Sequence, residues 1–202
     1  MADLTPRQQE IMNCALDVIS ESGVQMLTIK SIAQKMGMTE AALYRHFESK
    51  YDILVAIVDY FGTLGMENVK RALAQSKTAM EKLEAITFER FKMISENKAL
   101  ICMITDEDIF KHEKKLLQKM VDLHNESFIL MENLITTGQK NGEIRTDIEA
   151  RFFFNAIIGA FQFIGKKWRY HIQEFSWEDE VTNQWIAMKK MMKPIARNDK
   201  KE

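Results

Sequence analysis

Two prolines and eight glycines are all that 202 residues carry, so little in the chain interrupts long helices. The two cysteines, Cys14 and Cys102, stand far apart. That excludes a disulfide framework and a thiolate metal site, and suits buried thiols in a reducing compartment. Four histidines, His46, His112, His124 and His171, fall at no short ligand spacing. Neither H-E-x-x-H nor C-x-x-C nor a phosphate-loop glycine pattern occurs. No apolar run approaches the ~20 residues of a membrane span, and the N-terminus lacks the charged-then-apolar layout of a signal peptide. Charge of neither sign dominates: 28 Lys and Arg face 29 Asp and Glu, a net of −1. The acidic run Asp106-Glu107-Asp108 reads as a solvated bend rather than a catalytic pair. The expectation is a cytoplasmic protein without a membrane partner, a metal, a cofactor or an enzymatic site.

What is present is apolar content, 46% of the chain, arranged at helical spacing. The length suffices for one large or two small domains with a real core. Thr5-Pro6 opens a first helix with proline at its tolerated first position, and Gly23 closes it. Ile11, Cys14, Ala15, Val18 and Ile19 form its inward stripe. Arg7 is placed beside flanking backbone.

The densest pattern lies between Thr28 and Lys50. Ile29, Ile32, Ala33 and Met36 share one helical face, and Gly37 supplies the left-handed residue that ends it. Thr39 caps a second helix in which Leu43 and Phe47 turn inward with Met38. Glu40, Ala41, Ala42, Tyr44, Arg45 and His46 turn outward. Two alanines beside hydrogen-bonding groups make a poor core face and a shape suited to a DNA major groove. Ser49 caps the next helix, with Lys50 beside a helix N-terminus that is a ready phosphate site. Residues 1–61 hold five cations, Arg7, Lys30, Lys35, Arg45 and Lys50, against eight acids. Four of the five lie in Lys30–Lys50, so placement outweighs the sum; modest non-specific affinity with a steep salt dependence is expected.

The run T-I-K-S-I-A-Q-K-M-G-M-T-E-A-A-L-Y-R-H-F-E-S-K-Y-D-I-L resembles the DNA-binding signature of the TetR family of bacterial transcriptional regulators. Thr28, Ile32, Ala33, Gly37, Leu43, Tyr44, His46, Phe47, Ser49, Lys50 and Leu54 carry the resemblance. Glu48 departs from it, where the family often has proline. The resemblance implies an all-α chain: an N-terminal helix-turn-helix domain over 1–50, linked by a helix over 50–76 to a ligand-binding and dimerisation domain over 51–202. It also implies that Tyr44, His46 and Lys50 meet phosphates with Thr28 and Thr39 nearby, while Glu40, Ala41, Ala42 and Arg45 face base edges. The competing reading is an α-helical ligand-binding or interaction protein whose first helices never touch DNA.

Beyond residue 50, periodicity predicts helices over 50–76, 79–96, 99–110, 113–141, 149–171 and one capped by Ser176, with Thr146 a cap for the fifth. Gly62 and Gly65 mark either a flexible joint or close packing. The helix over 149–171 is apolar on most sides, which predicts burial against its own core and against a second chain. By resemblance, the C-terminal part binds a small hydrophobic or amphipathic effector that releases a palindromic operator, which makes the protein a repressor. Phe88, Phe91, Met103, Phe110, Met131, Phe153 and Phe161 are the candidate lining, with His124 and Asn155 as polar anchors. A palindrome needs two reading helices about 34–36 Å apart, hence a homodimer. Its expected surface is Ala156, Ala160 and Phe163 with Val181, Trp185, Met188 and Met192.

Overall fold

The computed structural model describes residues 4–106, 113–170, 172 and 176–195. All regular structure among them is helical. In order come α1 (Pro6–Ser22), a 3₁₀ turn (Val24–Met26), α2 (Ile29–Lys35), α3 (Glu40–Tyr44), α4 (Lys50–Gln75), α5 (Ala79–Glu96), α6 (Lys98–Thr105), α7 (Lys114–Lys140), α8 (Ala150–Arg169) and α9 (Trp177–Met192).

Local chemistry explains most boundaries. Thr5 and Gln8 form a reciprocal capping box at α1, and Gly23 stops that helix at φ +83°. Glu149, not Thr146, occupies the N-cap of α8. Residues 145–149 are instead held by the Gln139 amide, which donates to the carbonyls of Arg145 and Ile148 at 2.9 and 2.7 Å. Ser176 caps α9 by accepting the Asp179 N–H, with three acids in the first turn where the dipole favours them.

By contacts the chain divides into two units. Met1–Glu67 with Lys92–Asn125 form unit 1; Asn68–Phe91 with Glu126–Glu202 form unit 2. The reading head is not a unit of its own because α6 packs on α1 and the 3₁₀ turn. The core of unit 1 therefore joins Ile11, Ala15, Ile19, Ile32, Leu43, Ile53 and Ile57 to Ala99, Leu100 and Met103. Lys115 and Lys119 of α7 reach Asp52 and Asp59 of α4 in the same unit.

Gly62 and Gly65 both sit within α4 (Lys50–Gln75), and Gly62 is a site of close packing. A Cβ on Gly62 would lie 2.8 Å from Leu123 Cδ2.

The core of unit 2 gathers Leu83, Phe91, Met131, Ile135, Phe153, Phe154, Ile157, Phe161 and Ile164. Val181, Trp185, Met188 and Met192 belong to it too, at 2%, 1%, 6% and 0% exposure. This corrects the expected dimer surface: that stripe of α9 is spent on the chain's own core, where α9 packs on α8. The pair Lys167–Glu180, at 2.5 Å, fastens the same two helices. The exposed residues of α8 include Phe152, Asn155, Ala156, Gly159 and Phe163, and those of α9 include Ile186 and Met191. Ala160 is half-buried.

Candidate functional site

Two regions gather the expected functional residues, one in each unit. In unit 1 the helix-turn-helix is built almost wholly from local hydrogen bonds. Thr28 Oγ1 accepts the Ser31 N–H at 2.9 Å, and Ser31 Oγ accepts the Thr28 N–H at 3.0 Å. These satisfy donors that an α-helix leaves orphaned at its start. Gly37, at φ +63°, lets the Met38 N–H return to the Ala33 carbonyl at 3.0 Å. Thr39 Oγ1 then takes the Ala42 N–H at 3.2 Å and starts α3.

The reading helix is shorter than its apolar spacing predicts. It ends at Tyr44; Arg45 is its C-cap, and the N–H groups of His46 and Phe47 both close on the Leu43 carbonyl. Leu43 and Phe47 are nonetheless buried together, because the chain continues in a tight turn after the helix stops. The Gln8 amide donates to the His46 carbonyl at 3.0 Å and ties this turn to α1. Thr28, Thr39, Glu40, Ala41, Tyr44 and Arg45 are exposed; Ala42, His46 and Lys50 are half-buried. The nine residues expected to meet DNA thus fall on the segment from the α2 cap to the α4 start, none of them in the core.

Electrostatics sorts the five cations of this head. Lys35 Nζ is held by both carboxylate oxygens of Glu21, at 2.6 and 2.7 Å. That hydrogen bond pushes the Lys35 ammonium above its ordinary value. Arg7 pairs with Glu10 on its own helix and also points at Met38 Sδ. Lys30, Arg45 and Lys50 make no ion pair among the described residues. The Lys50 ammonium lies 5.2 Å from the Tyr51 ring centre. At the start of α4, Ser49 Oγ accepts the Asp52 N–H and donates to the Asp52 carboxylate. Burial pushes the Cys14 thiol up, as befits an inert thiol.

In unit 2 the expected effector lining divides. Phe88, Phe91, Met131, Phe153 and Phe161 come together in one core, with the rings of Phe91 and Phe161 only 4.0 Å apart. Met103 lies in the core of unit 1 instead. Phe110 lies outside the described residues. His124 and Asn155 are exposed, contrary to the interior position that an anchor needs; each falls on the outer side of its helix.

Sequence periodicity missed three polar groups among these aromatics. The guanidinium of Arg90 donates to Ser127 Oγ at 3.1 Å, and burial lowers its proton affinity. The indole N–H groups of Trp177 and Trp185 are buried and meet no acceptor among the described residues. The signal available in the sequence was Arg90 itself, one turn after Thr87 on the helix that carries Phe88 and Phe91. Among the described residues no cluster of His, Cys, Asp and Glu could hold a metal ion, and no helix is long and apolar enough to cross a membrane.

Comparison with known proteins divides the chain at a different point, between residues 57 and 59. Residues 11–57 match the family described as "Bacterial regulatory proteins, tetR family". Residues 59–188 match "YsiA-like protein, C-terminal region". The chain is 22% identical over 175 residues to the fatty acid metabolism regulator protein of Bacillus subtilis (strain 168), covering 87% of this chain and 90% of that protein. Its fold is like that of the ketosteroid transcriptional regulator KstR2 of Mycobacterium tuberculosis, with a TM-score of 0.79 at 16% identity over 95% and 97% of the two chains. It is also like the transcriptional regulator FadR from Bacillus subtilis in complex with stearoyl-CoA, with a TM-score of 0.77 at 20% identity over 91% and 98%.

Proposed function

The chain belongs to the TetR family of bacterial regulatory proteins, and from that premise we propose that it is a transcriptional repressor: a homodimer that holds a palindromic operator and lets go when an amphiphile with an apolar chain enters unit 2. The observation that carries the reading is the exposed rim from Thr28 to Lys50, which presents hydroxyls, alanines and three cations (Lys30, Arg45 and Lys50) without an ion pair among the described residues, on a frame fixed by Leu43 and Phe47. Tyr44, His46 and Lys50 are assigned to phosphates, with Thr28 and Thr39 beside them. Glu40, Ala41, Ala42 and Arg45 are assigned to base edges, the alanines against thymine methyls.

The apolar ligand class is supported by the aromatic core around Phe91 and Phe161, and by a structural neighbour that holds stearoyl-CoA. The effector-lining assignment is kept for Phe88, Phe91, Met131, Phe153 and Phe161.

Dimerisation is assigned to the apolar surface that α8 and α9 leave uncovered. Phe152, Ala156, Gly159 and Phe163 follow one another at i, i+4, i+7 and i+11, and Ile186 and Met191 stand on α9. Phe152 and Phe163 are 52% and 59% exposed, far more than isolated surface aromatics need. A Cβ on Gly159 would meet nothing within 4 Å, so a partner helix has room to approach there. An isologous contact of this face with itself places two reading heads on one duplex.

The test is to select a duplex from a random pool on the purified protein and measure its affinity by fluorescence anisotropy, alone and with acyl amphiphiles of increasing chain length. The expected result is tight binding of a palindrome by the dimer and release that strengthens with chain length. By linkage the amphiphile must bind the DNA-loaded protein more weakly than the free protein. Failure to enrich any sequence would overturn the DNA reading. Release by polar compounds alone would overturn the ligand class.

A further inference from the structure

The reading helix is too short to hold its own direction. α3 runs only from Glu40 to Tyr44, about one and a half turns, so contacts at its two ends set its orientation. Consecutive residues of α1 meet both ends. Before the helix, the Arg7 guanidinium donates to Met38 Sδ at 3.5 Å. After it, the half-buried Gln8 amide donates to the His46 carbonyl at 3.0 Å. The other end of the same amide is occupied too: Gln8 Oε1 accepts the Thr5 N–H at 3.0 Å, at the N-cap of α1. One side chain thus joins an N–H that needs an acceptor to a carbonyl that needs a donor. A carboxamide of this length serves both; glutamate lacks the donor and lysine lacks the acceptor. Capping α1 alone does not call for glutamine, since glutamate completes a capping box equally well. Thr5, Arg7 and Gln8 also precede the stretch 11–57 that matches the family.

We propose that Gln8 is a positioning residue for DNA binding: by holding the His46 carbonyl it fixes the turn over 45–47 and delivers His46 to its phosphate, without itself touching DNA. The proposal rests on the DNA-binding reading of unit 1 and adds to it a residue outside the reading segment. Leu43 and Phe47 are buried, and the Leu43 carbonyl takes the N–H groups of both His46 and Phe47. These contacts keep the two ends of the turn in place; the His46 carbonyl is the point at which α1 holds its middle. Without that tie the core pair stays packed while the turn between its members shifts. The fraction of heads in the binding geometry then falls by about fivefold, the worth of one neutral hydrogen bond, and the apparent affinity falls with it. Two heads on one duplex make that about 25-fold. A phosphate contact carries no sequence information, so the loss falls on every sequence alike.

The experiment measures fluorescence anisotropy of the full-length protein on the selected operator and on a scrambled duplex, with melting followed by circular dichroism. The variants are Gln8→Met, Gln8→Glu and Thr5→Ala, each alone and combined with His46→Ala. Gln8→Met is neutral and loses both hydrogen bonds. Gln8→Glu keeps the acceptor for the Thr5 N–H and loses only the donor. Thr5→Ala removes the capping hydroxyl and leaves the Gln8 amide in place. Both Gln8 variants should lose affinity on the order of 10- to 25-fold on the operator, with no gain or loss of preference over the scrambled duplex. In the His46→Ala background the loss from Gln8→Met should shrink to about twofold or less, because the group it positions is gone. Thr5→Ala should lower the melting temperature as Gln8→Met does and still bind within about twofold of the parent. Where the two Gln8 variants differ, Gln8→Met decides, since Gln8→Glu also adds a charge; if Gln8→Met does not fold, the coupling of Gln8→Glu with His46→Ala decides. Unchanged affinity in the Gln8 variants overturns the proposal. So does a loss that persists in full beside His46→Ala, or a Thr5→Ala loss as large as that of Gln8→Met, which would reduce Gln8 to a helix cap. Those outcomes leave the DNA reading standing; a parent that selects no duplex overturns that reading and the proposal with it.

Discussion

Lys50→Ala should flatten the salt dependence of operator binding by a predictable amount, because the structure counts the cations that remain to meet phosphate. Of the five in residues 1–61, Lys35 is clamped by Glu21 and Arg7 by Glu10. Lys30, Arg45 and Lys50 are left on each head, six in the proposed dimer when Arg45, assigned to a base edge, is also counted for its charge, which makes six an upper limit. At about 0.9 counterion released per phosphate neutralised, the ceiling on the slope of log K against log salt is about 5. Lys50→Ala removes two of the six, so the slope should fall by about 1.8, and at 0.15 M salt the loss should be about 30-fold on any sequence. Arg45→Ala should instead weaken the selected operator more than random DNA, since a base-edge contact carries sequence information. Lys35→Ala should leave the slope unchanged. The assay is anisotropy on the selected duplex and on a scrambled one between 50 and 300 mM salt. A parent slope well above 5, or a Lys35→Ala slope as reduced as that of Lys50→Ala, would refute the sorting of these cations.

A Phe163→Glu, Ile186→Glu double variant should elute as a monomer with its helical circular dichroism intact and its operator affinity lost, because both changes place charge on the uncovered apolar face without a partner; a dimer by light scattering would move the interface elsewhere. Gly138→Ala should destabilise unit 2 by about 1–3 kcal/mol in urea unfolding, since the added Cβ would lie 2.7 Å from Ile144 Cδ1 and 3.0 Å from Ala79 Cβ. Glu81 accepts the N–H groups of Lys77 and Thr78 at 2.9 Å each, and these backbone hydrogen bonds hold its carboxyl below its ordinary value. A carboxyl with a depressed pKa contributes stability that is full above its ordinary value and fades as pH falls through the depressed one. The melting temperature lost by Glu81→Ala should therefore shrink as pH is lowered from 6 towards 3, and a constant difference would contradict the capping role.

The sequence by itself determined the reading head and most helix limits, and tertiary packing decided what each face touches. Thr28, Gly37 and Thr39 could be read directly because a cap and a left-handed residue act within four positions of the chain: their partners are Ser31, Gln34 and Ala42. Helical spacing likewise marked Leu43 and Phe47 as inward. That spacing also put the end of α3 too late, since an i, i+4 pair stays buried whether helix or turn joins its members. Farther along, periodicity says that a face is apolar and not which neighbour covers it. Val181, Trp185, Met188 and Met192 read as surplus and proved to be core, while Phe163 and Ile186 remain outside. Met103 read as effector lining and packs with α1 and α4 residues instead. Arg90 stood in the sequence as a lone cation on the helix of Phe88 and Phe91; only its meeting with Ser127, 37 positions away, gives it a partner. Lys35 read as one more cation of the DNA face until Glu21 was found across from it. In each case the deciding contact joins residues too distant in sequence for any local pattern to record, and its energy depends on burial that exists only once the helices have packed.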